Sequence, residues 1–189
     1  IMSSWYNKYP TLQFFATSEF VQDRYLMYFI ELGLVEKGMY KDGAVPEYIA
    51  SRLEEELHTI KVVSEKLGQR ISAYFNLMRD VVDTCWTVSL VGVSRGSASA
   101  FLINYLLKLC QMNPLDYNLW SARFLSDSRL ELPDIDIDIC PEKTDVVIDL
   151  LRQKYGEDNV LNCITFKTES LKSAILTACR GLGIDNHLA

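Results

Sequence analysis

The residues best suited to chemistry form a short run in which acidic and apolar side chains alternate. The run is Pro133-Asp134-Ile135-Asp136-Ile137-Asp138. In an extended strand successive side chains point to opposite faces, so the three aspartates would share one face and the isoleucines would face the core. Neighbouring carboxylates repel one another unless a cation lies beside them, and Mg²⁺ prefers carboxylate and phosphate oxygens. The run therefore predicts a magnesium site.

Spacing limits how many of these aspartates can share one pair of metal ions. Residues two apart in a strand lie about 6.6 Å apart, which suits two carboxylates that bind metal ions about 3.5–4 Å from each other. Asp134 and Asp138 would lie roughly 13 Å apart, so one of these two outer residues must be a bystander. The alternative interpretation is an acidic strand that simply faces solvent.

A second run, Leu90-Val91-Gly92-Val93-Ser94-Arg95-Gly96-Ser97, is typical of a strand, a turn and the start of a helix. The first N–H groups of a helix have no internal partner and carry partial positive charge. Gly96 would let the backbone approach an anion closely, Ser97 can donate its hydroxyl group, and Arg95 adds a guanidinium group. This run predicts a triphosphate site, and the alternative is an ordinary helix cap.

Together the two runs predict nucleotidyl transfer. The second run would hold a nucleoside triphosphate. The first would hold two metal ions that activate a 3′-hydroxyl group and stabilise the leaving pyrophosphate. In reactions of this kind, positioning and electrostatic stabilisation supply most of the catalysis.

The elements that would position these runs change in type along the chain. Apolar residues at helical spacing predict the first helices, over about 17–35, 46–67 and 73–85. β-Branched and alternating residues then predict strands over 87–92, 132–139 and 160–165. Further helices are predicted over 98–109, 115–124, 141–155 and 170–182. We therefore expect an α+β fold, with an all-helical unit over residues 1–78 and a unit containing a mixed sheet over residues 79–189.

The second predicted helix carries a cluster of acidic residues for which no chemical role is predicted. Glu54, Glu55 and Glu56 are consecutive. Runs of like charge usually form a solvated face of a helix. We therefore expect this acidic run to lie largely in water.

Composition narrows the class of protein. The chain has 189 residues, of which 49% are hydrophobic and 23% charged, as in an ordinary globular protein. A net charge of -6 argues against a protein that coats nucleic acid by charge alone. The five cysteines include no CxxC pair, which favours reduced cysteines in a cytoplasmic protein. The apolar stretch 98–109 is too short to span a bilayer, and no signal peptide is recognised.

Several of these runs resemble motifs of one protein family, the bacterial DNA polymerase III alpha subunit. The acidic run Pro133 to Asp138 resembles its PDxDxDF motif, and Gly92 to Ser97 resembles its GPGRGS motif. The resemblance extends over roughly Arg52 to Ile184. Shorter matches along that range are Arg52 to Leu57, Tyr74-Phe75, Asn113 to Leu115, Ala122 to Leu125, Lys154 to Gly156 and Ile164 to Phe166.

The resemblance implies a helical thumb followed by part of a palm related to the polymerase-beta nucleotidyltransferases. It implies that Asp134 and Asp136 bind two Mg²⁺ ions, with Mn²⁺ as a possible substitute, and that Asp138 is the bystander. The expected nucleotide-binding residues are Arg95, Gly96, Ser97, Arg123 and Lys172. The implied partners are primer–template DNA, a deoxynucleoside triphosphate and other replisome subunits, with no membrane.

The sequence also departs from the family pattern. Ser94 replaces a glycine, Ser99-Ala100 differs from a glycine-serine pair, Ile139 replaces a phenylalanine, and Leu176-Thr177 replaces an arginine-aspartate pair. The third catalytic aspartate of the family lies beyond Ala189, so we expect this chain to be inactive alone. Two alternatives remain: a catalytically inactive relative that serves as a scaffold or DNA-binding module, and a nucleotidyltransferase that modifies RNA or a small molecule.

Overall fold

The regular structure of this protein is helical. The computed structural model describes residues 5–93, 95–128, 131–166 and 168–184. Its α-helices are α1 (Pro10–Thr17), α2 (Val21–Glu36), α3 (Glu47–Leu67), α4 (Ser72–Trp86), α5 (Leu102–Leu106), α6 (Thr144–Tyr155) and α7 (Leu171–Gly181). Short 3-10 helices lie at Gly96–Ala100, Pro114–Tyr117, Ser121–Arg123, Pro141–Lys143 and Glu157–Asn159. No helix in the described part of the chain is long and apolar enough to cross a membrane.

Helix α3 illustrates how the sequence produces these elements. Leu53, Leu57 and Ile60 recur at helical spacing and are fully buried on one side of the helix. The helix ends at Gly68, which adopts a φ of 63°. Glycine takes this left-handed conformation without a steric penalty, so it is a favoured helix terminator.

The helix predictions are largely confirmed, with differences at their ends. The predicted helices over 46–67 and 73–85 correspond to α3 and α4. The helix predicted over 17–35 begins later, at Val21, and α1 precedes it as a separate element. Ser18 lies between them, and its hydroxyl group accepts a hydrogen bond from the Phe20 N–H at 3.2 Å.

The helices predicted later in the chain differ more in length. The segments predicted as helices over 98–109 and 115–124 are broken into 3-10 turns and the short helix α5. The remaining two, over 141–155 and 170–182, correspond to a 3-10 turn with α6 and to α7.

The prediction of an α+β fold with a mixed sheet is wrong. Within the described residues, segments 87–92, 132–139 and 160–165 form no β-strand. The first two meet at a single antiparallel bridge between Val91 and Ile139. A sheet requires repeated backbone pairing along neighbouring strands, and one bridge does not provide it. Residues 87 and 88 form a turn directly after α4, and the acidic segment is extended without a paired strand, so the regular structure of the described residues is helical.

The main core joins helices α1–α4 to the segment that follows them. Three fully buried phenylalanines mark the junction: Phe75 on α4, Phe101 before α5, and Phe124 after the 3-10 helix Ser121–Arg123. The ring centroids of Phe101 and Phe124 lie 5.0 Å apart, and Phe75 stacks on Phe101 at 6.1 Å. Aromatic pairs at such distances stabilise a core beyond the area they bury.

The prediction that Glu54, Glu55 and Glu56 lie largely in water is wrong. Only Glu55 is exposed, and its carboxylate accepts a hydrogen bond from the Ser121 hydroxyl group. Glu54 accepts hydrogen bonds from backbone N–H groups in the first turn of α1. Glu56 is fully buried. Each glutamate therefore has its own partner, because helix α3 lies between α1 and the segments around α5.

Gly33 allows helices α2 and α5 to approach each other closely. A Cβ atom at this position would lie 2.4 Å from the Leu106 carbonyl oxygen, a backbone atom that cannot move alone. We expect Gly33→Ala to lower the free energy of unfolding by about 2 kcal/mol or more, the range found for overpacked cores. Urea denaturation followed by circular dichroism measures the change.

Gly181 provides the matched control for this substitution. It is also a helical glycine, but a Cβ atom there would meet nothing within 4 Å. Gly181→Ala should leave stability unchanged or raise it slightly, since alanine favours helix over glycine. Equal losses in the two variants would show that the α2–α5 contact is looser than described.

Burial of Glu56 predicts a specific pH dependence. Desolvation raises the pKa of Glu56 to about 7, from 4.5 for an exposed glutamate, and the Arg52 guanidinium group opposes that rise. The folded protein then binds this proton more tightly than the unfolded chain. The resulting stability is fully present below pH 4.5 and is lost as the pH rises through about 7.

We therefore expect the stability difference between the wild type and Glu56→Gln to shrink between pH 4.5 and pH 7. Urea denaturation at a series of pH values measures it. Glu47→Gln, at an exposed glutamate of the same helix, is the control for removal of one negative charge from α3. A difference that grows with pH would show instead that folding favours the ionised form of Glu56 paired with Arg52.

Candidate active site

The acidic segment is extended and is held against both hydrophobic clusters of the protein. The alternation predicted for it is confirmed, since its three aspartates are exposed and its three isoleucines are partly buried. Ile135 and Ile137 pack against the main core, while Ile137 and Ile139 pack against a smaller cluster built on Cys85, Val91 and Val147. Burial of the isoleucines thus turns the carboxylates to the surface without a surrounding sheet.

Hydrogen bonds to backbone groups fix both ends of this segment. At its start, the Tyr74 hydroxyl group on α4 donates to the Pro133 carbonyl oxygen at 2.7 Å. At its end, the Gly92 N–H donates to the Asp138 carbonyl oxygen at 2.8 Å. The Cys140 N–H donates to the Ser89 hydroxyl oxygen at 3.1 Å. The segment is therefore anchored to α4 and to the run that leads into the predicted triphosphate site.

The two predicted sites meet at Arg95. Its Nη1 atom lies 3.1 Å from Oδ1 of Asp138, and its Nε atom lies 3.7 Å from Oδ2 of Asp136. The side chain of Arg95 is 61% exposed, and those of the two aspartates about half exposed. Ion pairs this open to solvent contribute little to stability and are screened by salt. Another cation can therefore readily displace the Arg95 guanidinium group from these two carboxylates.

Two glycines permit this close arrangement. A Cβ atom on Gly92 would lie 2.9 Å from the Cβ atom of Asp138, and one on Gly96 would lie 3.2 Å from Oδ2 of Asp136. Gly96 also has a φ of 66°, in the left-handed region that favours glycine. The glycines of this run thus bring its backbone against the acidic segment.

The Tyr74 hydroxyl group lies within the electric field of the acidic segment. Burial raises the pKa of Tyr74, and the charges of Asp134 and Asp136 raise it further. A raised pKa keeps the phenol protonated at neutral pH. Tyr74 therefore continues to donate its hydrogen bond to Pro133.

The other predicted nucleotide-binding residues lie on separate elements. Ser97 is partly buried in the 3-10 helix Gly96–Ala100, and Arg123 is exposed at the end of another 3-10 helix. Lys172 is exposed in the first turn of α7. In the part of the chain that the structure describes, no hydrogen bond or ion pair joins Arg123 or Lys172 to the three aspartates. Ser94, which replaces a glycine of the family motif, lies outside the described residues.

The carboxylates do not by themselves form a closed metal site. Among residues 5–93, 95–128, 131–166 and 168–184, no group of three or more histidine, cysteine, aspartate or glutamate side chains is arranged to hold a metal ion. Asp136 and Asp138 nevertheless face one positive group, the Arg95 guanidinium. A metal ion at this open pair of carboxylates would need further ligands.

Sequence reasoning missed several residues that shape this site. Tyr74 was noted only as part of a motif, and the contact of Arg95 with Asp136 and Asp138 was not anticipated. The spacing of Arg52 and Glu56, one helical turn apart, would have indicated an ion pair on α3. Nothing in the spacing could have shown that Glu56 is buried.

The comparison with known proteins agrees with the motifs. The family described as "Bacterial DNA polymerase III alpha NTPase domain" matches residues 22–189. The chain is 40% identical over 97% of its length to "Probable DNA polymerase YorL" of Bacillus subtilis (strain 168). It is 38% identical over 81% of its length to the DNA polymerase III subunit alpha of Ureaplasma parvum, and 34% over 87% to that of Campylobacter jejuni.

These matches cover a small part of each relative. The chain spans 15% of the Bacillus subtilis and Ureaplasma parvum proteins and 14% of the Campylobacter jejuni protein. Within that part the similarity runs through both the acidic segment and the run around Arg95, since the family match covers both. The chain therefore belongs to the bacterial DNA polymerase III alpha family.

Proposed function

We propose that this chain is part of a DNA-directed DNA polymerase of DNA replication, comprising a thumb (residues 1–78) and the first part of a palm (residues 79–189). The reaction would transfer a nucleotide from a deoxynucleoside triphosphate to the 3′-hydroxyl group of a primer paired with template DNA. The observation that carries the proposal is the contact of Arg95, in the predicted triphosphate site, with Asp136 and Asp138 of the acidic segment. Replication of bacterial DNA places such a protein in the cytoplasm.

The acidic segment would supply part of the donor set that Mg²⁺ requires. Exposed carboxylates already face a cationic group, and carboxylate oxygens are the ligands that Mg²⁺ prefers. We assign Asp134 and Asp136 as the ligands of two Mg²⁺ ions, or of Mn²⁺, on the strength of the family motif. When bound, the metal ions would stabilise negative charge on the attacking and leaving oxygens.

Asp138 then has a different role from the metal ligands. Its carboxylate lies 3.1 Å from Nη1 of Arg95, so it would orient the guanidinium group towards the triphosphate site through a contact that can still exchange. Gly96 and Ser97 would contact the phosphates through the backbone and the hydroxyl group. Arg123 and Lys172 are the further candidates for contact with the incoming nucleotide.

The proposal requires residues beyond this chain. Two carboxylates without a third ligand make a weak magnesium site, because Mg²⁺ releases its bound water reluctantly. We therefore propose that the chain is inactive alone and that the longer polymerase supplies a third aspartate and contacts to other replisome subunits. A longer protein without that aspartate would favour the alternative, an inactive relative that serves as a scaffold or DNA-binding module.

Substitution of the three aspartates in the longer polymerase tests these assignments. Asp134→Ala and Asp136→Ala should each lower the primer-extension rate more than a hundredfold, since loss of a metal ligand removes several kcal/mol of transition-state stabilisation and about 1.4 kcal/mol is tenfold in rate. Asp138→Asn should lower the rate less than about tenfold. Thermal melting of each variant confirms that it is folded.

The relative effects distinguish two registers of the site. A folded Asp138→Asn variant as impaired as Asp136→Ala would identify Asp136 and Asp138 as the metal pair and Asp134 as the outer residue. A rate that is unaffected by both Asp134→Ala and Asp136→Ala would contradict the proposed function itself.

Removal of Arg95 should strengthen metal binding to this chain. The guanidinium group lies 3.7 Å from Asp136, a proposed metal ligand, so Arg95→Ala removes a positive charge that competes with a metal ion for this carboxylate. We expect a several-fold lower dissociation constant for Mn²⁺, measured by paramagnetic broadening of NMR signals from the acidic segment.

Arg123→Ala is the matched control because it removes the same charge from an exposed arginine on another element. It should leave Mn²⁺ binding at the acidic segment unchanged. An Arg95→Ala variant that binds Mn²⁺ no better than this control would show that the guanidinium group and the metal do not compete.

A further inference from the structure

A buried ion pair on α3 contacts the backbone of the segment that follows the predicted triphosphate site. Arg52 Nε donates to Oε1 of Glu56 at 2.7 Å. The Glu56 side chain is fully buried, and its carboxylate also accepts the N–H groups of Leu102 at 2.8 Å and Ile103 at 2.9 Å. These are the first residues of α5, whose N–H groups have no partner within the helix.

The guanidinium group of Arg52 contacts two further backbone segments. Its Nη2 atom donates to the carbonyl oxygens of Ala100 at 2.7 Å and Leu119 at 2.9 Å. Ala100 is the last residue of the 3-10 helix that begins at Gly96. A 3-10 helix rises about 2 Å per residue, so the end held by Arg52 lies roughly 8 Å from Gly96.

The second segment leads to another predicted nucleotide contact. Leu119 lies two residues before the 3-10 helix Ser121–Arg123, and the Ser121 hydroxyl group donates to Glu55 of α3. Consecutive turns of one helix thus hold the segment that carries Gly96 and Ser97 and the segment that carries Arg123.

These contacts are better suited to orientation than to stability alone. Buried ion pairs are often no more stabilising than apolar side chains of the same size. Unlike apolar packing, however, this pair fixes the direction of four peptide groups, those of Ala100, Leu102, Ile103 and Leu119. The planar guanidinium group donates from Nε to Glu56 and from Nη2 to both carbonyl oxygens in one fixed geometry, which the flexible ammonium group of a lysine does not reproduce.

We propose that Arg52 and Glu56 are positioning residues for the incoming nucleotide, because they set the placement of Gly96–Ser97 relative to Arg123. The inference rests on the proposed function. Neither side chain touches the reacting atoms. Small displacements of groups that bind a substrate reduce binding and rate strongly, so loosening either contact should act on the nucleotide and not on the primer–template.

Single-turnover nucleotide incorporation by the full-length polymerase tests this inference. Arg52→Lys keeps the charge beside Glu56 but loses the planar group that bonds Glu56 and both carbonyl oxygens in one fixed geometry. We expect the dissociation constant of the deoxynucleoside triphosphate to rise about tenfold, with primer–template affinity unchanged. Glu56→Gln should raise the same dissociation constant. If Glu56→Gln does not fold, the result for Arg52→Lys alone tests the positioning role.

Glu54→Gln is the matched control. Glu54 lies on the same helix and also accepts backbone N–H groups, those of Thr11 at 2.8 Å and Leu12 at 2.9 Å, but it contacts α1. This variant should lose thermal stability without any change in nucleotide affinity. Amide hydrogen exchange at Leu102 and Ile103 should quicken in the Arg52 and Glu56 variants alone.

The outcomes separate this inference from the proposed function. Unchanged nucleotide affinity in Arg52→Lys, or an equal loss in Glu54→Gln, overturns the positioning role while the polymerase assignment stands. A wild-type enzyme that extends no primer, or extension unaffected by Asp134→Ala and Asp136→Ala, overturns the proposed function and this inference with it.

Discussion

The arrangement of this protein depends on the charged pair that helix α3 buries. Removing a carboxylate and a guanidinium group from water carries a penalty of several kcal/mol per ion. The attraction of Arg52 and the backbone hydrogen bonds offset only part of this penalty for Glu56, so its pKa stays raised at about 7. Glu56 and Arg52 obtain those bonds from backbone groups around α5 and from Leu119. Loss of these backbone contacts would leave buried charge unsatisfied, so the segment around α5 has one favourable position relative to α3.

The acidic segment is held against the helical core less rigidly than the segment around α5. Ile135 and Ile137 are only partly buried, and the hydrogen bond from Tyr74 holds one backbone carbonyl group. Apolar packing on one side and hydration of the carboxylates on the other set the direction of the side chains. Alternation in a sequence therefore fixes which face each residue occupies even where no neighbouring strand completes a sheet.

Local sequence patterns predicted part of this structure, but contacts between residues distant in the sequence could not be predicted from them. Periodicity identified α3 and α4 because their apolar residues recur at the helical repeat, and motifs identified the acidic segment and the run around Arg95. The sheet was predicted wrongly because β-branched residues report a preference for extended backbone, whereas pairing depends on distant segments. Glu56 was assigned to solvent because burial of a charge depends on partners 46 and 47 residues away.

The two arginines at this site show how burial decides what a charge can do. The side chain of Arg52 is 14% exposed and bonds to a buried carboxylate and to backbone carbonyl groups, so its position is fixed by the fold. The side chain of Arg95 is 61% exposed and faces two half-exposed carboxylates, so water and ions compete for both partners. The proposed nucleotide site would need both properties. Its backbone must be held before the substrate arrives, and its charges must be free to exchange one partner for another when metal ions and phosphates bind.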